Sequence, residues 1–409
     1  MMSILSNGPA IPVDHLDVAA QVIDLMEDPE FTGTYVGRVW NPDVAGPSPV
    51  LVTEGRVRDL SSVYPTMRDL IESFDYTGIR AIKGHDIGPV SVILNNSWHS
   101  NRNPKLPWFL SPFDLQVVKA AGVTFVSSMI ERVIEERALG DIARAADFRS
   151  SILEVLGGDL RELKPGSDEA AALKDFLVKQ GMWSQYLEVG IGPDAEIFTK
   201  GPCLSTVGFG AEVGVAASSI WNNPEPEVVL AISSRGEIVG ASVGNDINLR
   251  DVEGRSALLL PKAKDNNASG SIGPWLRLFD KEFTIDDLRV AKISMTVTGD
   301  DAFRLEATAD LAEISRDFEQ IVSQLIGTHH QYPDGAALFL GTPFAPIEDR
   351  GAIGKGFTHH LNDIVSISTP AIGGLVNQVQ SSESCPPWEF GIHSLMTNLA
   401  SRGLLPTAI

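Results

Sequence analysis

Two glutamates stand two residues apart in the stretch "NNPEPEVVLAI", residues 222–232. The apolar run that follows them, Val228 to Ile232, reads as a buried strand. Positions i and i+2 of a strand point to one side, so Glu225 and Glu227 would share a face. Two carboxylates on one buried face repel, and they are tolerated only with a cation or a proton between them. On spacing alone, the pair also fits an exposed acidic turn ahead of the strand. Asp246 follows a second apolar strand, in "NDINLRD". Three carboxylates from neighbouring strands could form one face of a hard-cation site, with water and substrate oxygens filling the rest. Mg²⁺ suits that donor set, and Mn²⁺ or Ca²⁺ would also accept it. Lys262 and Lys264 come next, just before a Ser/Gly-rich loop.

Three regions of different pattern must position these groups. Residues 1–113 are rich in Gly, Pro, Asn and Ser. They carry strand-like runs, "TYVGRVW", "PSPVLVTEG" and "GPVSVILNN", and one helix pattern, "TMRDLIESF", which predicts a small β-rich domain. Residues 114–186 predict a helical segment, opened by the Ser-x-x-Asp cap signal of "SPFD" and including "GSDEAAALKDFLVKQG". From 187 to 409 short strands recur between Gly, Pro, Asn and Asp turns, with one helix in "LAEISRDFEQIVSQLIG" and another in "GIHSLMTNLASRG". The fold class read from this is α+β and β-rich, with the strands of the last region in a closed or layered fold.

A chain of 409 residues is long for a single core. Its 43% hydrophobic and 21% charged residues are those of a folded soluble protein. With 32 Lys and Arg against 53 Asp and Glu, the formal charge is −21, which argues against a nucleic-acid partner. No apolar run reaches the ~18 residues of a membrane span. The first residues, "MMSILSNGPAIPVDH", lack the basic and apolar regions of a signal peptide. Two cysteines, Cys203 and Cys385, make no disulfide framework and fit a reducing cytoplasm.

The ordered set "PEPEVVLAISSRGEIVGASVGNDINLRD", "KAKDNNASGSIGPW", "LFLGTPF" and "NDIVSISTPAIGGLVNQV" resembles the fumarylacetoacetate hydrolase superfamily across roughly 190–380. That resemblance implies a β-roll or barrel-like fold with a divalent metal in its mouth. It assigns Glu225, Glu227 and Asp246 as metal ligands. Lys264, nine residues before Gly273-Pro274, matches the family lysine better than Lys262 does. Thr342, in Gly341-Thr342-Pro343, matches a threonine near the substrate carboxylate, and Ser128, Ser205 and Ser269 join it as substrate-binding residues. Arg250 and Asp251 are implied to support the site rather than touch substrate.

The reaction is less uniform within the superfamily. Its hydrolytic and decarboxylating members carry a His-x-x-Glu pair that activates water. Here Glu131 falls at the acid position, but Ser128 stands where the histidine would be, and a serine cannot be that base near neutral pH. This departure favours elimination of water. The wider text, including "GRVWNP" and "AEIFTKGPCLSTVGFGAEVGV", resembles the roughly 400-residue dehydratases of 2-keto-3-deoxy pentonates, notably 2-keto-3-deoxy-D-xylonate. These yield 2-oxoglutarate semialdehyde in oxidative pentose catabolism, through an enolate stabilised by the metal. By that resemblance Lys264 and Glu196 are the acid–base residues, with Glu131 beside them. Lys264 would need a lowered pKa to act as base, which a nearby Mg²⁺ would supply; otherwise its charge holds the substrate carboxylate. The implied partner is a small 2-keto sugar acid, and the implied assembly a homodimer or homotetramer.

Other features read as structural. The pairs His329-His330 and His359-His360, and His85 and His99, are taken as structural, surface or satisfied polar residues. Cys203 reads as a buried small residue. "GFGAEVG" lacks a dinucleotide fingerprint, and "GAIGKGF" lacks the Lys-Ser/Thr of a P-loop. Two rival readings are a hydrolase of acylpyruvate-type diketo acids in the same fold and a non-catalytic 2-keto acid binding protein.

Overall fold

The structure is a computed structural model that describes residues 33–73, 76–145, 163–179, 181–352 and 356–405. The N-terminal stretch read for a signal peptide lies outside these residues, as do parts of the 114–186 helical segment and of "GAIGKGF".

The β-rich α+β class expected from the sequence is the class the chain adopts, built on two large sheets and a two-stranded ribbon of Asn222–Asn223 and Asn248–Leu249. The larger runs in the order His85–Pro89, Arg56–Asp59, Gly46–Thr53, Tyr35–Asn41, Gly270–Leu278, Ile238–Asp246, Pro226–Ile232, Ala336–Phe339, Val117–Gly122 and Glu196–Gly201. Trp108–Leu110 pairs with Tyr35–Asn41 beside this path. The smaller sheet runs Arg304–Asp310, Lys292–Thr298, Ile364–Thr369, Gly373–Ser381 and Glu212–Val215. Both strand orders have two ends, and no closed barrel is formed among the described residues. Tyr35–Asn41 pairs with Gly270–Leu278, so the larger sheet draws on strands from either side of residue 113.

The Pro226–Ile232 strand shows why its sequence is nearly all apolar. Val228, Leu230 and Ile232 face the main core, which Met295, Val297, Val365 and Ile367 of the smaller sheet also enter. Val229 and Ala231 face a second core with Val118, Ala120, Ile272 and Phe339. A strand covered on both faces loses the usual polar alternation. Each Val, Leu or Ile so buried stabilises the fold by about 1.5–3 kcal/mol. The face carrying Val229 and Ala231 is also the face carrying Glu225 and Glu227, by the period of two. The carboxylates therefore extend a buried apolar row at its end.

Three segments differ from expectation. Val117–Gly122, placed in the helical segment, is a strand parallel to Ala336–Phe339. The helix begins only at Val126 and runs to Ala138. The β-branched Val117-Val118 pair suits the strand, and insertion into the sheet satisfies the backbone on both edges. Conversely, "GPVSVILNN" is the helix Val90–Ser97, whose buried Val90, Ile93, Leu94 and Ser97 repeat at helical spacing. In "LAEISRDFEQIVSQLIG" the α-helix covers only Phe318–Leu325, capped by Asp317. The helices Met67–Glu72, Asp168–Lys179 and Ile392–Ser401 fall where they are expected. No helix among the described residues is long and apolar enough to cross a membrane.

Candidate active site

Register brings the three acids together. Pro226 pairs with Asn245 and Glu227 with Gly244, which sets Glu225 opposite Asp246. The Asp246 N–H donates to the Glu225 carbonyl at 3.0 Å. Each of the three carboxylates offers an oxygen within 4.8 Å of the others. All three are buried, at 2%, 1% and 1% exposure. The exposed-turn alternative is therefore excluded.

Cations close around them. Lys264, at the end of the helix Leu260–Lys264, donates to the Glu225 carboxylate and to Asp246 Oδ2 at 3.0 Å. Lys200 Nζ lies 2.7 Å from Asp246 Oδ1 and donates to the carbonyls of Ile247, at 3.2 Å, and Lys264. Arg132 binds the Glu225 carboxylate, Glu135 at 2.6 Å and Glu253 at 3.1 Å. Arg250 extends the network to Glu135 at 2.6 Å and Glu131 at 3.2 Å. Glu227 has no lysine; it accepts from the Gly341 N–H at 2.7 Å.

The charge balance favours a bound cation. Glu225, Glu227, Asp246, Glu253, Glu135 and Glu196 face Lys200, Lys264, Arg132 and Arg250, so acids exceed bases by at least two. Burial, then Asp246 and Glu225, push Glu227 well above the usual carboxylate range. Burial, then Glu253, push Glu196 up to about 7. An all-oxygen, buried, acid-rich site fits a hard divalent cation, whose charge would offset the excess of acids.

No protein-family profile matches the chain. A probable 2-keto-3-deoxyxylonate dehydratase from Haloferax volcanii is 28% identical over 266 residues, covering 59% of this chain and 88% of the relative. A 2-dehydro-3-deoxy-D-arabinonate dehydratase from Saccharolobus solfataricus is 29% identical over 185 residues, 45% of this chain and 58% of that protein. Among solved structures, 2-keto-3-deoxy-D-arabinonate dehydratase in its apo form matches with a TM-score of 0.60 at 19% identity, over 85% of this chain and 99% of the other. A 2-keto-3-deoxy-D-arabinonate dehydratase complexed with magnesium and 2,5-dioxopentanoate matches at 0.58 and 18% identity, over the same shares. The sequence is thus similar to these sugar-acid dehydratases, and the fold is one that their solved structures share.

The pocket is lined by Glu225, Glu227, Asp246, Lys264, Glu196, Ser128 and Thr342, together with residues that the motifs did not single out. Ser128 donates its hydroxyl to the Phe125 carbonyl at 2.9 Å. Thr342 donates to the Phe344 carbonyl at 2.7 Å. No histidine is among the described residues that line this pocket.

Other expected residues lie elsewhere. Ser269 is buried and donates to the Lys264 carbonyl at 2.8 Å, fixing the turn behind the lysine. Glu131 pairs with Arg250 and lines a separate cleft with Ser127 and Phe344. Ser205 lines another pocket, donating to the Pro202 carbonyl at 2.7 Å. Arg250 stacks on Trp221 at 4.4 Å while it pairs with Glu135 and Glu131, and Asp251 accepts from Ser219 at 2.7 Å. His359 is buried against Asp363, and His85, His329 and His330 are exposed. Cys203 is half-buried rather than buried.

Lys200 and Arg132 escaped the motif reading, although local periods mark both. Glu196, Phe198 and Lys200 share one face of the Glu196–Gly201 strand. Ser128, Arg132 and Glu135 share one face of the Val126–Ala138 helix, at i, i+4 and i+7. Glu253 had no such signal, because it arrives from the short helix Arg250–Glu253.

The protein's own charges do not lower the pKa of Lys264. Burial works against its charge, but Asp246, Glu225 and Glu253 outweigh it and hold the ammonium above its usual range. Lys200 behaves oppositely: burial lowers it, and Asp246 restores only part.

Gly122 pairs with Glu196 across the sheet, and a Cβ there would stand 2.0 Å from the Glu196 carboxylate. Gly122→Ala should therefore displace that carboxylate and leave the strand in place. We expect kcat to fall at least about tenfold with little change in melting temperature, the loss being comparable in kind to removing the acid. Steady-state kinetics and a thermal melt of the variant check this.

Proposed function

We propose that this chain is a divalent-metal-dependent dehydratase of a 2-keto-3-deoxy pentonate, with the D-xylonate-derived acid as substrate and 2-oxoglutarate semialdehyde as product. The observation that carries the reading is a buried Glu196 in the same pocket as the acidic triad, with Ser128 and no histidine among the described residues that line it. The dehydratase names of the curated relatives support it. Mg²⁺ held by Glu225, Glu227 and Asp246 would polarise the 2-keto group and acidify the C3 protons.

The chain's own residues then have distinct parts. Lys264, which bonds Glu225 and Asp246, offers its ammonium to the substrate carboxylate. Glu196, poised near neutrality, takes a proton from C3 as carboxylate and returns it to the C4 hydroxyl as acid. The C3–H and C4–O bonds break, the C3–C4 double bond forms, and the proton leaves with the hydroxyl as water. Tautomerisation of the C5 alcohol then gives the aldehyde. Arg132 and Lys200 hold Glu225 and Asp246 in place. Ser128, its hydroxyl spent on a backbone carbonyl, activates no water. The setting we propose is cytoplasmic, which suits the free thiols Cys203 and Cys385, with assembly as a homodimer or homotetramer.

The test incubates purified protein with 2-keto-3-deoxy-D-xylonate and its arabinonate epimer, with Mg²⁺ or with EDTA. Any aldehyde is coupled to a semialdehyde dehydrogenase and followed by the nicotinamide signal. Aldehyde that appears with Mg²⁺ and vanishes with EDTA is expected. Cleavage of an acylpyruvate to two carboxylic acids, with no aldehyde from any pentonate, would select the hydrolase instead.

A further inference from the structure

A second pocket, of about 340 Å³, shares no lining residue with the carboxylate site. That volume is in the range of small-molecule sites. Its walls are aromatic. Trp108 stacks on Trp40 with centroids 5.7 Å apart, Phe390 meets Trp40 edge-on at 5.4 Å, and Trp388 stands at the mouth, 48% exposed.

Two guanidinium groups line the same space. Arg38 is 4% exposed; its Nε donates to the Ser111 carbonyl at 2.9 Å, and its Nη1 has no partner among the described residues. Asp114, the carboxylate that acts on it, is committed to the N–H groups of Met67, Arg68 and Leu115 at 2.6, 3.1 and 2.6 Å. Arg102 lies over the Trp108 ring at 5.1 Å, and its Nε is likewise unpartnered among the described residues. A buried guanidinium N–H without an acceptor is costly, and a carboxylate accepts from such donors as a fork. Glu212 and Glu389 also line the pocket, which opposes a multiply charged anion such as phosphate.

We infer that this pocket is a second ligand site, which takes a planar organic monocarboxylate: the carboxylate on Arg38 and Arg102, the ring against Trp108 and Trp388. Aromatic walls favour a flat partner by stacking.

Benzoate is the probe, titrated into the full chain and followed by tryptophan fluorescence and by saturation-transfer NMR, with inorganic phosphate and acetate as comparators. Saturable benzoate binding is expected, weakened about tenfold or more in both Arg102→Gln and Trp388→Ala, with melting temperature and turnover retained. Arg38→Gln should abolish it, and the two other variants decide the matter if that one does not fold. Addition of Mg²⁺ and a 2-keto acid should not displace the benzoate. Displacement by the 2-keto acid, equal binding by phosphate, or unchanged affinity in the Arg102 and Trp388 variants would each overturn the inference. None of these outcomes depends on which reaction the carboxylate site performs.

Discussion

Glu196→Gln should lower kcat by about two orders of magnitude or more, since positioned acid–base groups contribute about 10²–10⁴-fold. Stabilisation of the protein by added Mg²⁺ should survive, because Glu196 is not one of the clustered ligands. The pH profile separates this role from a structural one. Burial and Glu253 raise the carboxyl to about 7. Once protonated the side chain cannot accept the C3 proton, so wild-type kcat/KM should fall as pH drops through the Glu196 pKa, which the charge of the bound metal would draw below 7. The variant should lose that limb and keep a flat residual rate. A Glu196→Gln protein with full turnover would remove this residue from the chemistry. Gly122→Ala supplies an independent check, because it moves the same carboxylate without changing its identity.

Glu227→Gln and Asp246→Asn should both abolish the Mg²⁺-dependent rise in melting temperature, yet shift the metal-free protein in opposite directions. Glu227 is pushed up by burial, Asp246 and Glu225. Its unfolded form loses the proton first, so its contribution to stability is present at low pH and lost as pH rises above the usual carboxylate value. A neutral glutamine, still able to accept from Gly341, removes that loss, and the cation-free variant should melt higher than wild type at pH 8. Asp246 is the reverse case. Burial raises it, but Lys200 and Lys264 outweigh burial and hold it low. Its contribution is present above the usual value and lost only as pH falls through the lowered one. Asn at 246 leaves both buried ammonium groups without that partner, a loss on the order of 3–5 kcal/mol. Melting curves of both variants at pH 8, with EDTA and then with Mg²⁺, read both effects. Destabilisation of the Glu227 variant comparable to that of the Asp246 variant would contradict this account of the charges.

The sequence by itself marked the acidic triad. Its ordered motifs single out Glu225, Glu227 and Asp246, whereas spacing alone also fits an exposed turn, and the hairpin register of the fold converges them. It also determined the β-rich class, through the recurrence of short apolar runs between turns. It did not determine the type of 117–122 or 90–97. A few apolar residues fit both periods, and a neighbouring strand, Ala336–Phe339, recruited the first of these. Nor did it place Ser205 in a second pocket or turn Glu131 toward Arg250. Lys200, Arg132 and Glu253 come from segments far apart in the chain, and only packing seals them around Glu225 and Asp246. The protonation of Lys264 and Glu196 depends on that same sealing. Spacing encodes which face a side chain takes, whereas its charge in a dry pocket is the sum of burial and every opposing group that the fold brings near.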